Sequence, residues 1–421
     1  MNILICGANG FVGRHLSAAL RAVGHEVVRG VRTPTSPSDI AIDFAHPEPW
    51  ENWLPQLQDI DVVINAVGIL CEGKGATFNA IHRDSPIALF DACEAAGVMR
   101  VIQISALGGG AEADWTPYMR TKRDADAHLM KSDLDWLILR PSLVVGIDGD
   151  SSRFFRTLAS LPVVGLPGRG DQLLQPVHVD DLCQVVVRAI AAGQPSRTVL
   201  DVVGPAPMTY REMLALYRQA MEMPAPLWLP VPMSVMKLSA LIAAKLPQRV
   251  FSPDTVLMLE QGNVSHAGPV TQVLGRAPLG AASWATGATP DMLRSQAIMS
   301  WALPLLRMAL ALVWLVSGIL SFGIYPISDS LALLAQVGVH GSLAILTLYG
   351  TAALDCLFGI ATLLAPSRML WRMQFLLVFA YTVIISVWLP GFWLHPFGPI
   401  LKNLPILALL LVLDANETRR T

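Results

Sequence analysis

The segment TPYMRTK, residues 116–122, places a tyrosine four positions before a lysine. Residues four apart share one face of a helix. A tyrosine, with a pKa of about 10, acts as a base near neutral pH only when positive charge stabilises its phenolate. The ammonium of Lys122 and the positive end of the helix supply such charge. The pair predicts acid–base chemistry at Tyr118, and the alternative is an amphipathic tyrosine that only packs.

A serine stands upstream of this pair. Ser105 follows the apolar run RVIQI, residues 100–104, thirteen positions before Tyr118. At the end of a strand its hydroxyl can donate to a substrate oxygen while the tyrosine handles the proton. Thr116 and Pro117 predict a helix start, because threonine is a good N-cap and proline suits the first helical position. Ser105, Tyr118 and Lys122 are therefore the candidate catalytic residues.

The N-terminal stretch NILICGANGFVGRHL has a strand pattern, three glycines and then a helix pattern. Gly7, Gly10 and Gly13 suit a tight turn, close approach of a pyrophosphate and close helix packing. The following helix N-terminus attracts phosphate. The next strand ends in VVRGVR, where Arg29 and Arg32 without a carboxylate favour NADP(H) over NAD(H). The alternatives are a glycine turn without a ligand and two solvated arginines.

Further apolar runs predict the elements that hold these residues in place. Strands are expected at residues 40–44, 61–68, 100–105 and 136–142, with a helix at 79–96. Continuous Val, Ile and Leu runs are typical of buried parallel strands. The fold class is therefore α/β, a Rossmann-type doubly wound parallel sheet. Ligands of such sheets lie beyond the carboxyl ends of the strands, where Asp43, Asn65 to Gly68 and Ser105 fall.

Residues 148–297 are expected to form a small substrate lobe on the Rossmann domain, which spans residues 1–297. Within the lobe, PLWLPVPMSVMKLSALIAAKLPQRVF, residues 226–251, is apolar at helical spacing and too interrupted to span a membrane. Three interpretations stay open for it: packing in the core, covering the substrate cleft, or lying against a bilayer.

The tail, residues 298–421, is membrane material. From residue 300 onward only ten of 122 residues are charged. About 20 apolar residues cross a bilayer, and an all-α bundle of four transmembrane helices is expected at residues 308–328, 341–365, 373–393 and 399–413. Asp355 falls within the second span, where a carboxylate is costly. Pairing with Arg307 and a proton-linked role are both open for it.

The charges between the spans predict their orientation. Residues 329–340 and 394–401 contain no Lys or Arg, whereas PSRMLWRM and the terminal NETRRT carry two arginines each. By the positive-inside rule both ends of the chain lie in the cytoplasm, which predicts a multi-pass protein of a cell inner membrane. The sequence MNILICGANG shows no signal peptide.

Overall composition excludes some classes of protein. A net charge of −2 gives no basic patch, so nucleic acid is not expected as a partner. The five cysteines share no metal-like spacing, and their odd number is not that of a disulfide framework. No metal site is predicted, and a reducing compartment is expected.

Taken together, the glycines at 7, 10 and 13, NAVG, ISALG, YMRTK, LRPSLVVG and QPVHVDDL resemble the extended and atypical short-chain dehydrogenase/reductase family. They most resemble the branch with the nucleotide-binding accessory subunit of respiratory complex I. The likeness covers residues 1 to about 283. The tail, through RMALALVWLVSGI, resembles the DoxX-like four-helix membrane family.

The first resemblance implies roles for individual residues. Tyr118 would be the acid/base, Lys122 would bind the nicotinamide ribose and lower the tyrosine pKa, Ser105 would contact substrate, and Arg32 would bind the 2′-phosphate. Together with the strand ends it implies these cofactor contacts: Gly7, Asn9, Gly10, Phe11, Val12, Gly13, Arg29, Arg32, Asp43, Phe44, Ala66, Val67, Gly68, Tyr118, Lys122, Pro141 and Ser142.

The expected function is a membrane-anchored, NADP(H)-dependent oxidoreductase that interconverts a carbonyl and an alcohol. Its partners would be the dinucleotide, membrane lipid and an unknown small or lipid-like substrate, with a membrane-protein partner or a homo-oligomer open. The alternative is a non-catalytic NADPH-binding assembly or sensor protein, because some members of that branch hold the nucleotide structurally. A nucleotide-sugar epimerase or dehydratase would use NAD and is disfavoured by Arg29 and Arg32.

Overall fold

A computed structural model describes residues 1–73, 75–108, 116–191, 196–243, 250–396 and 398–417. The chain divides into two compact units, Met1–Ala297 and Ile298–Thr421. The strands are β1 Asn2–Cys6, β2 Glu26–Val31, β3 Asp39–Ala41, β4 Val62–Asn65, β5 Arg100–Ile104, β6 Trp136–Pro141, β7 Val144–Val145, β8 Val163–Pro167, β9 Leu173–Leu174, β10 Val177–His178, β11 Thr198–Val202, β12 Met208–Thr209 and β13 Leu227–Val231.

The α-helices of the first unit are α1 Phe11–Ala22, α2 Ser85–Ala96, α3 Pro117–Leu129, α4 Asp150–Ser160, α5 Val179–Ile190, α6 Tyr210–Ala220, α7 Met233–Ala243, α8 Pro253–Gln261 and α9 Gly268–Leu274. Helix α10, Pro290–Ile319, follows, and then come α11 Ile327–Gln336, α12 Gly341–Leu364, α13 Arg368–Trp388 and α14 Asn403–Asn416. Shorter 3-10 and π segments occur at Trp50–Leu57, Asn79–Asp84, Ala281–Ala285, Leu320–Ile324 and Pro390–Trp393.

A seven-stranded sheet organises the first unit. Its strand order is β11-β6-β5-β4-β1-β2-β3, and every pairing in it is parallel. This confirms the predicted Rossmann-type sheet. The strand expected at 40–44 is shorter, because the chain turns at Asp43, whose carboxylate accepts a hydrogen bond from the Ala45 amide at 3.0 Å. The helix expected at 79–96 begins with the π-helical segment Asn79–Asp84 before α2.

Two hydrophobic cores cover the two faces of this sheet. In β1, Ile3 and Ile5 point to one core while Leu4 and Cys6 point to the other. The period of two follows from the pleat of a strand. The first core includes residues of α1, α5 and α9, and the second includes residues of α2 and α3. Burial on both faces explains the nearly continuous apolar runs of the central strands.

A third core joins helices α4 and α6 with Trp284 and Leu293, within the segment predicted to form the substrate lobe. It is accompanied by the two-stranded sheets β8–β13, β9–β12 and β7–β10. Arg211 lies over the ring of Trp228 at 5.3 Å. The lobe thus has its own hydrophobic packing.

Among the described residues, three apolar helical stretches are long enough to cross a membrane. They are Pro290–Ile324, which begins before the second unit and continues into it, Gly341–Leu364 and Arg368–Trp388. The fourth, α14, has only 14 residues, against about 20 for a full crossing. Helix α11 occupies most of the predicted loop 329–340. Of the tail arginines used for the orientation, 419 and 420 lie outside the described residues.

Small and polar residues hold these helices together. A Cβ on Gly359 would lie 2.6 Å from Leu315, so glycine permits the close approach that is typical of membrane helices. Trp314 Nε1 donates to Gln374 Oε1 at 2.9 Å, and Gln374 Nε2 donates to Thr362 Oγ1 at 2.8 Å. These hydrogen bonds connect α10, α13 and α12.

The structure decides one of the two alternatives left open for Asp355, and the proton-linked role stays a prediction. Arg307 forms its ion pair with Glu417 at 2.7 Å, so the interpretation that Arg307 neutralises Asp355 is wrong. Glu417 accepts a second hydrogen bond, from Trp371 Nε1 at 3.1 Å. One carboxylate oxygen of Asp355 is buried without a hydrogen-bond partner among the described residues.

Candidate dinucleotide and substrate site

The glycine loop between β1 and α1 has the geometry that close approach to a ligand requires. Gly7 has φ +82°, and a Cβ there would lie 3.1 Å from Val67. A Cβ on Gly13 would overlap the carbonyl oxygen of Gly7, so only glycine lets α1 pack this closely on the loop. Helix α1 begins at Phe11 without a side-chain cap. Its first amide groups are therefore available to an anion.

The two arginines after β2 have different surroundings. The Arg29 guanidinium forms a hydrogen bond with Asn9 Oδ1 and an ion pair with Asp39 at 3.4 Å. Arg32 is exposed and lines the cavity in front of the loop, together with Asp43. Hydrogen bonds from His46 and Ala45 and the charge of Arg32 hold the pKa of Asp43 below its usual value. Arg32 is thus the arginine of this pair that lines the cavity.

A cavity of about 2010 Å³ extends from the glycine loop to Tyr118 and the substrate lobe. Of the predicted site residues, these line it: Gly7, Asn9, Gly10, Phe11, Val12, Arg32, Asp43, Phe44, Ala66, Val67, Gly68, Ser105, Tyr118, Lys122, Pro141 and Ser142. Gly13 and Arg29 do not. The strand ends and the Tyr118 helix therefore meet in one space.

Tyr118 lies in the first turn of α3, and the helix starts where it was predicted to start. Thr116 caps α3 by accepting a hydrogen bond from the Met119 amide at 3.1 Å, and Pro117 is the first helical residue. The Tyr118 ring packs edge-on against Phe78 and His82, with centroid distances of 5.8 and 5.1 Å. Burial raises the pKa of the Tyr118 phenol to about 12. This is opposite to the lowering expected from Lys122, and the phenol keeps its proton at neutral pH.

Lys122 is buried one turn further along α3. Its ammonium donates to the Ile104 carbonyl at 3.1 Å, which directs it to the end of β5. Burial lowers the pKa of Lys122 to about 8, opposed by the charge of Asp126. Because this pKa stays above 7, Lys122 is mostly cationic at neutral pH.

The Ser105 hydroxyl donates to Asp126 Oδ2 at 2.7 Å. Arg140 lies 3.4 Å from the same carboxylate oxygen. Burial raises the pKa of Asp126 to about 6, against the lowering by Ser105 and Arg140. A serine has a single hydrogen to donate. Donation to a substrate oxygen therefore requires Ser105 to leave Asp126, and the expected substrate contact stays a prediction.

His82 also lies behind the tyrosine. Its ring stacks on Phe78 at 5.4 Å, and its Nε2 lies 3.0 Å from the Ile69 amide, which donates to it. Burial, and then the charge of Lys122, lowers the pKa of His82 well below its ordinary value. A neutral His82 fixes the chain after β4 and supports the ring of Tyr118.

Asp126 and His82 were missed by sequence reasoning. A signal existed for Asp126, since it lies four residues after Lys122 and shares its helix face. None existed for His82, which reaches the site from the π-helical segment more than thirty positions away. That contact depends on the packing of β4, β5 and α3.

The first unit has a Rossmann-type fold with a glycine loop suited to a dinucleotide, similar to that of short-chain dehydrogenase/reductase proteins, and an apolar helical domain follows it in the chain. Residues 7–191 match the NAD(P)H-binding family model, and residues 311–411 match the DoxX-like family model. Each match covers less than half of the chain. The second marks the protein as a membrane protein, in agreement with its long apolar helices.

Curated relatives also show sequence similarity to this chain. An epimerase family protein of Mycobacterium bovis is 28% identical over 248 residues, covering 54% of this chain and 81% of the relative. A ceramide reductase of Caulobacter vibrioides is 28% identical over 196 residues, covering 44% of this chain and 59% of the relative.

Among solved structures, MoeE5 with UDP-glucuronic acid and NAD is similar, with a TM-score of 0.53 and 20% identity over 70% of this chain and 99% of that one. A UDP-glucuronic acid 4-epimerase from Bacillus cereus with NAD has a TM-score of 0.52 and 18% identity over 72% of this chain and 98% of that one. At these identities the likeness concerns the fold alone.

Proposed function

We propose that the protein is a membrane-tethered, NADP(H)-dependent oxidoreductase that acts on the carbonyl or alcohol group of a lipid-soluble molecule. The observation that carries the proposal is the shared cavity. Its glycine loop and Arg32 suit a dinucleotide phosphate, while Tyr118 and Lys122 lie in the same space. Nucleotide and proton donor would then meet at one reacting group.

The acid–base state of the site favours reduction. A reduced nicotinamide supplies hydride to a carbonyl carbon when it is bound. The oxygen of that carbonyl then needs a proton, and the neutral phenol of Tyr118 holds one because its pKa is raised to about 12. Lys122, cationic at neutral pH, stabilises the phenolate that forms.

The walls of the cavity suit an apolar substrate. Its lining includes the apolar residues Leu70, Phe154, Phe155, Leu158 and Met258, beside charged residues such as Glu72, Arg153 and Asp254. Apolar side chains of this kind suit the hydrocarbon part of a substrate. The Caulobacter relative is named as a reductase of ceramide, which is itself a lipid of this class. A membrane tether would keep enzyme and substrate at one surface and raise their effective concentration.

The tethered domain would lie in the cytoplasm, on an inner membrane. Among the described residues, Arg368 and Arg372 belong to the start of α13. The stretch before α12 lacks Lys and Arg, and the connection after α13 carries a single cation, Lys402, at its end. That asymmetry supports a cytoplasmic α12–α13 connection. The nucleotide site would then be open to the NADPH of the cytoplasm.

The decisive experiment follows NADPH oxidation by the full chain in lipid nanodiscs supplied with a bacterial lipid extract. Tyr118→Phe should lower turnover by about 10²–10⁴-fold, the usual contribution of a general acid, while NADPH binding is retained. Tyr325→Phe, at an exposed tyrosine of the second unit, is the matched control. Equal turnover in the two variants would remove the enzyme proposal.

Nucleotide choice has its own test. Arg32→Glu should raise the Kd for NADPH by about 10–100-fold, since a charge-assisted contact to the 2′-phosphate is replaced by repulsion. The Kd for NADH in the same variant is the internal control and should change by less than about threefold. An equal effect on both nucleotides would contradict a 2′-phosphate contact.

A non-catalytic NADPH-binding protein is the second candidate. The observation in its favour is the Ser105 hydroxyl, which donates to Asp126 rather than into the cavity. This candidate requires a nucleotide that co-purifies, never changes redox state and strongly raises the unfolding temperature. Exchange of bound NADPH within seconds, together with Tyr118-dependent turnover, would exclude it.

A further inference from the structure

Helix α7 presents one face to the cavity. Met236, Ser239, Ala240 and Ala243 recur at the spacing of a single helix face. Met236 and Ser239 line the cavity, and Ala240 is fully buried. The helix is therefore part of the wall of the substrate space.

The opposite face of α7 is apolar and exposed. Val235, Leu238, Leu241 and Ile242 are exposed by 51, 59, 56 and 62%. They lie roughly opposite the buried face on a helical projection with 3.6 residues per turn. A surface helix of a water-soluble domain carries polar residues there. A cluster of large apolar side chains instead indicates a contact surface.

Charge and tethering indicate what covers this surface. From residue 223 to residue 253 the sequence contains the cations Lys237, Lys245 and Arg249 and no Asp or Glu. Lys237 pairs with Glu260 of α8 at 2.9 Å while its side chain stays 52% exposed, and Lys245 and Arg249 lie outside the described residues. Interfacial helices combine such cations with an apolar face. Anionic headgroups attract the cations, and the apolar face is buried among the acyl chains. The same chain contains three helices able to cross a membrane, so a bilayer is always near.

We propose that α7 lies on the bilayer, with Val235, Leu238, Leu241 and Ile242 in the boundary between headgroups and acyl chains. Its inner face, with Met236 and Ser239, then borders a passage by which a membrane lipid enters the cavity. The passage rests on the proposed function, whereas the contact of α7 with the bilayer does not. The occupant of the surface is lipid and not a second protein.

Fluorescence quenching in nanodiscs tests the contact without any turnover. A Leu238→Cys variant of the full chain is labelled with an environment-sensitive dye in a background with Cys71→Ala and Cys356→Ala, since Cys6, Cys93 and Cys183 are buried. Met99→Cys, at a 59% exposed apolar residue of the α2–β5 connection, is the matched control. NADPH binding by the background is checked first.

A quencher attached to the lipid near the headgroups should quench the dye at 238 at least about threefold more than the dye at 99. Aqueous iodide should quench the dye at 99 more than the dye at 238. Quenching at 238 by iodide alone would overturn the proposal, because the helix would be in water. Protection from both quenchers would also overturn it, because protein would cover the face. One copy per nanodisc excludes contact with a second chain.

Kinetics test the passage. Leu238→Glu with Ile242→Glu should raise the KM for a long-chain carbonyl lipid in vesicles about tenfold and leave kcat/KM for a short soluble ketone unchanged. Met99→Glu should alter neither. Equal losses for both substrates would overturn the passage and assign α7 a structural role. Absence of all turnover refutes the proposed function instead and leaves the quenching result intact.

Discussion

Beside the cavity of the first unit the buried polar side chains include charged ones, whereas the buried polar side chains described inside the second unit are mostly neutral. Lys122 and Asp126 are 4 and 1% exposed. Gln374 and Thr362 are 0 and 1% exposed and bond to each other. A charge at the centre of a bilayer costs about 2.5–3.5 kcal/mol on insertion scales, so amides and hydroxyls suit helix contacts there. Charges are buried where the fold surrounds them with partners and a ligand space lies alongside.

The largest expected effect is on the charged network of the first unit. Asp126→Leu removes the carboxylate that faces Ser105, Arg140 and Lys122, and should cost about 3–5 kcal/mol of unfolding free energy, as for a broken buried ion pair. Denaturant unfolding of the full chain in detergent measures it. Asp126→Asn should cost clearly less, because its amide oxygen still accepts from Ser105. Equal stability of Asp126→Leu and the wild type would show that this network is not held together by charge.

The neutral network should respond more weakly. Gln374→Leu leaves the Trp314 Nε1–H without its acceptor and should cost about 1–3 kcal/mol, the penalty for one unsatisfied buried donor. Thermal unfolding in the same detergent reports it. Ser321→Ala, at an exposed hydroxyl on the first span that bonds only to its own helix, is the control. A loss as large as that of Asp126→Leu would erase the difference between the two units.

The stability of the first unit should depend on pH, because its buried charged groups titrate. The folded pKa of Lys122 is lowered from 10.5 to about 8, so stability should rise as pH increases from 8 to 10.5. The folded pKa of Asp126 is raised from 3.8 to about 6. The contribution of Asp126 to the free energy of unfolding should therefore fall as pH increases from 4 to 6. Above pH 8, reduction should slow as the ammonium is lost.

Unfolding of Lys122→Met across the same range provides the check. The rise in stability between pH 8 and 10.5 should disappear in this variant, while the change between pH 4 and 6 should remain. An unchanged alkaline slope would mean that another group titrates there.

The smallest effect is expected at the edge of the second unit. Arg372 pairs with Asp414 at 3.3 Å, but its side chain is 65% exposed. Solvent screening limits such pairs to about 0–1 kcal/mol, and Arg372→Ala should lower the unfolding temperature by no more than a few degrees. A loss comparable with Gln374→Leu would show that ion pairs, and not neutral polar contacts, stabilise the membrane helices.

Local patterns were sufficient for much of the fold. The apolar runs at β1, β4, β5 and β6 predict the parallel sheet because each is continuous and bounded by loops. Thr116 and Pro117 place the start of α3 correctly. The long apolar stretches predict the membrane helices, but not the short length of α14 or the extra helix α11, because hydropathy alone does not show where the backbone bends.

Contacts across the chain account for what was missed. The cofactor contact expected of Arg29 stays a prediction, but the structure adds what the sequence could not show: Arg29 bonds Asn9 and Asp39, because the pairing of β2 with β3 brings Asp39 beside it. Arg307 was considered a partner for Asp355, yet Arg307 pairs with Glu417, which lies 110 positions away in the sequence. A one-dimensional pattern contains no information on such encounters.

By itself, the sequence determined the glycine loop, the Tyr118–Lys122 face and the apolar tail, because each is set by neighbours within a few residues. Only the tertiary structure decided that Ser105 donates to Asp126, that His82 supports Tyr118 and that burial raises the phenol's pKa. It also decided that α7 turns Leu238 outward while Met236 faces the cavity. These features depend on which distant elements pack together, since burial and hydrogen-bond partners are properties of the folded chain.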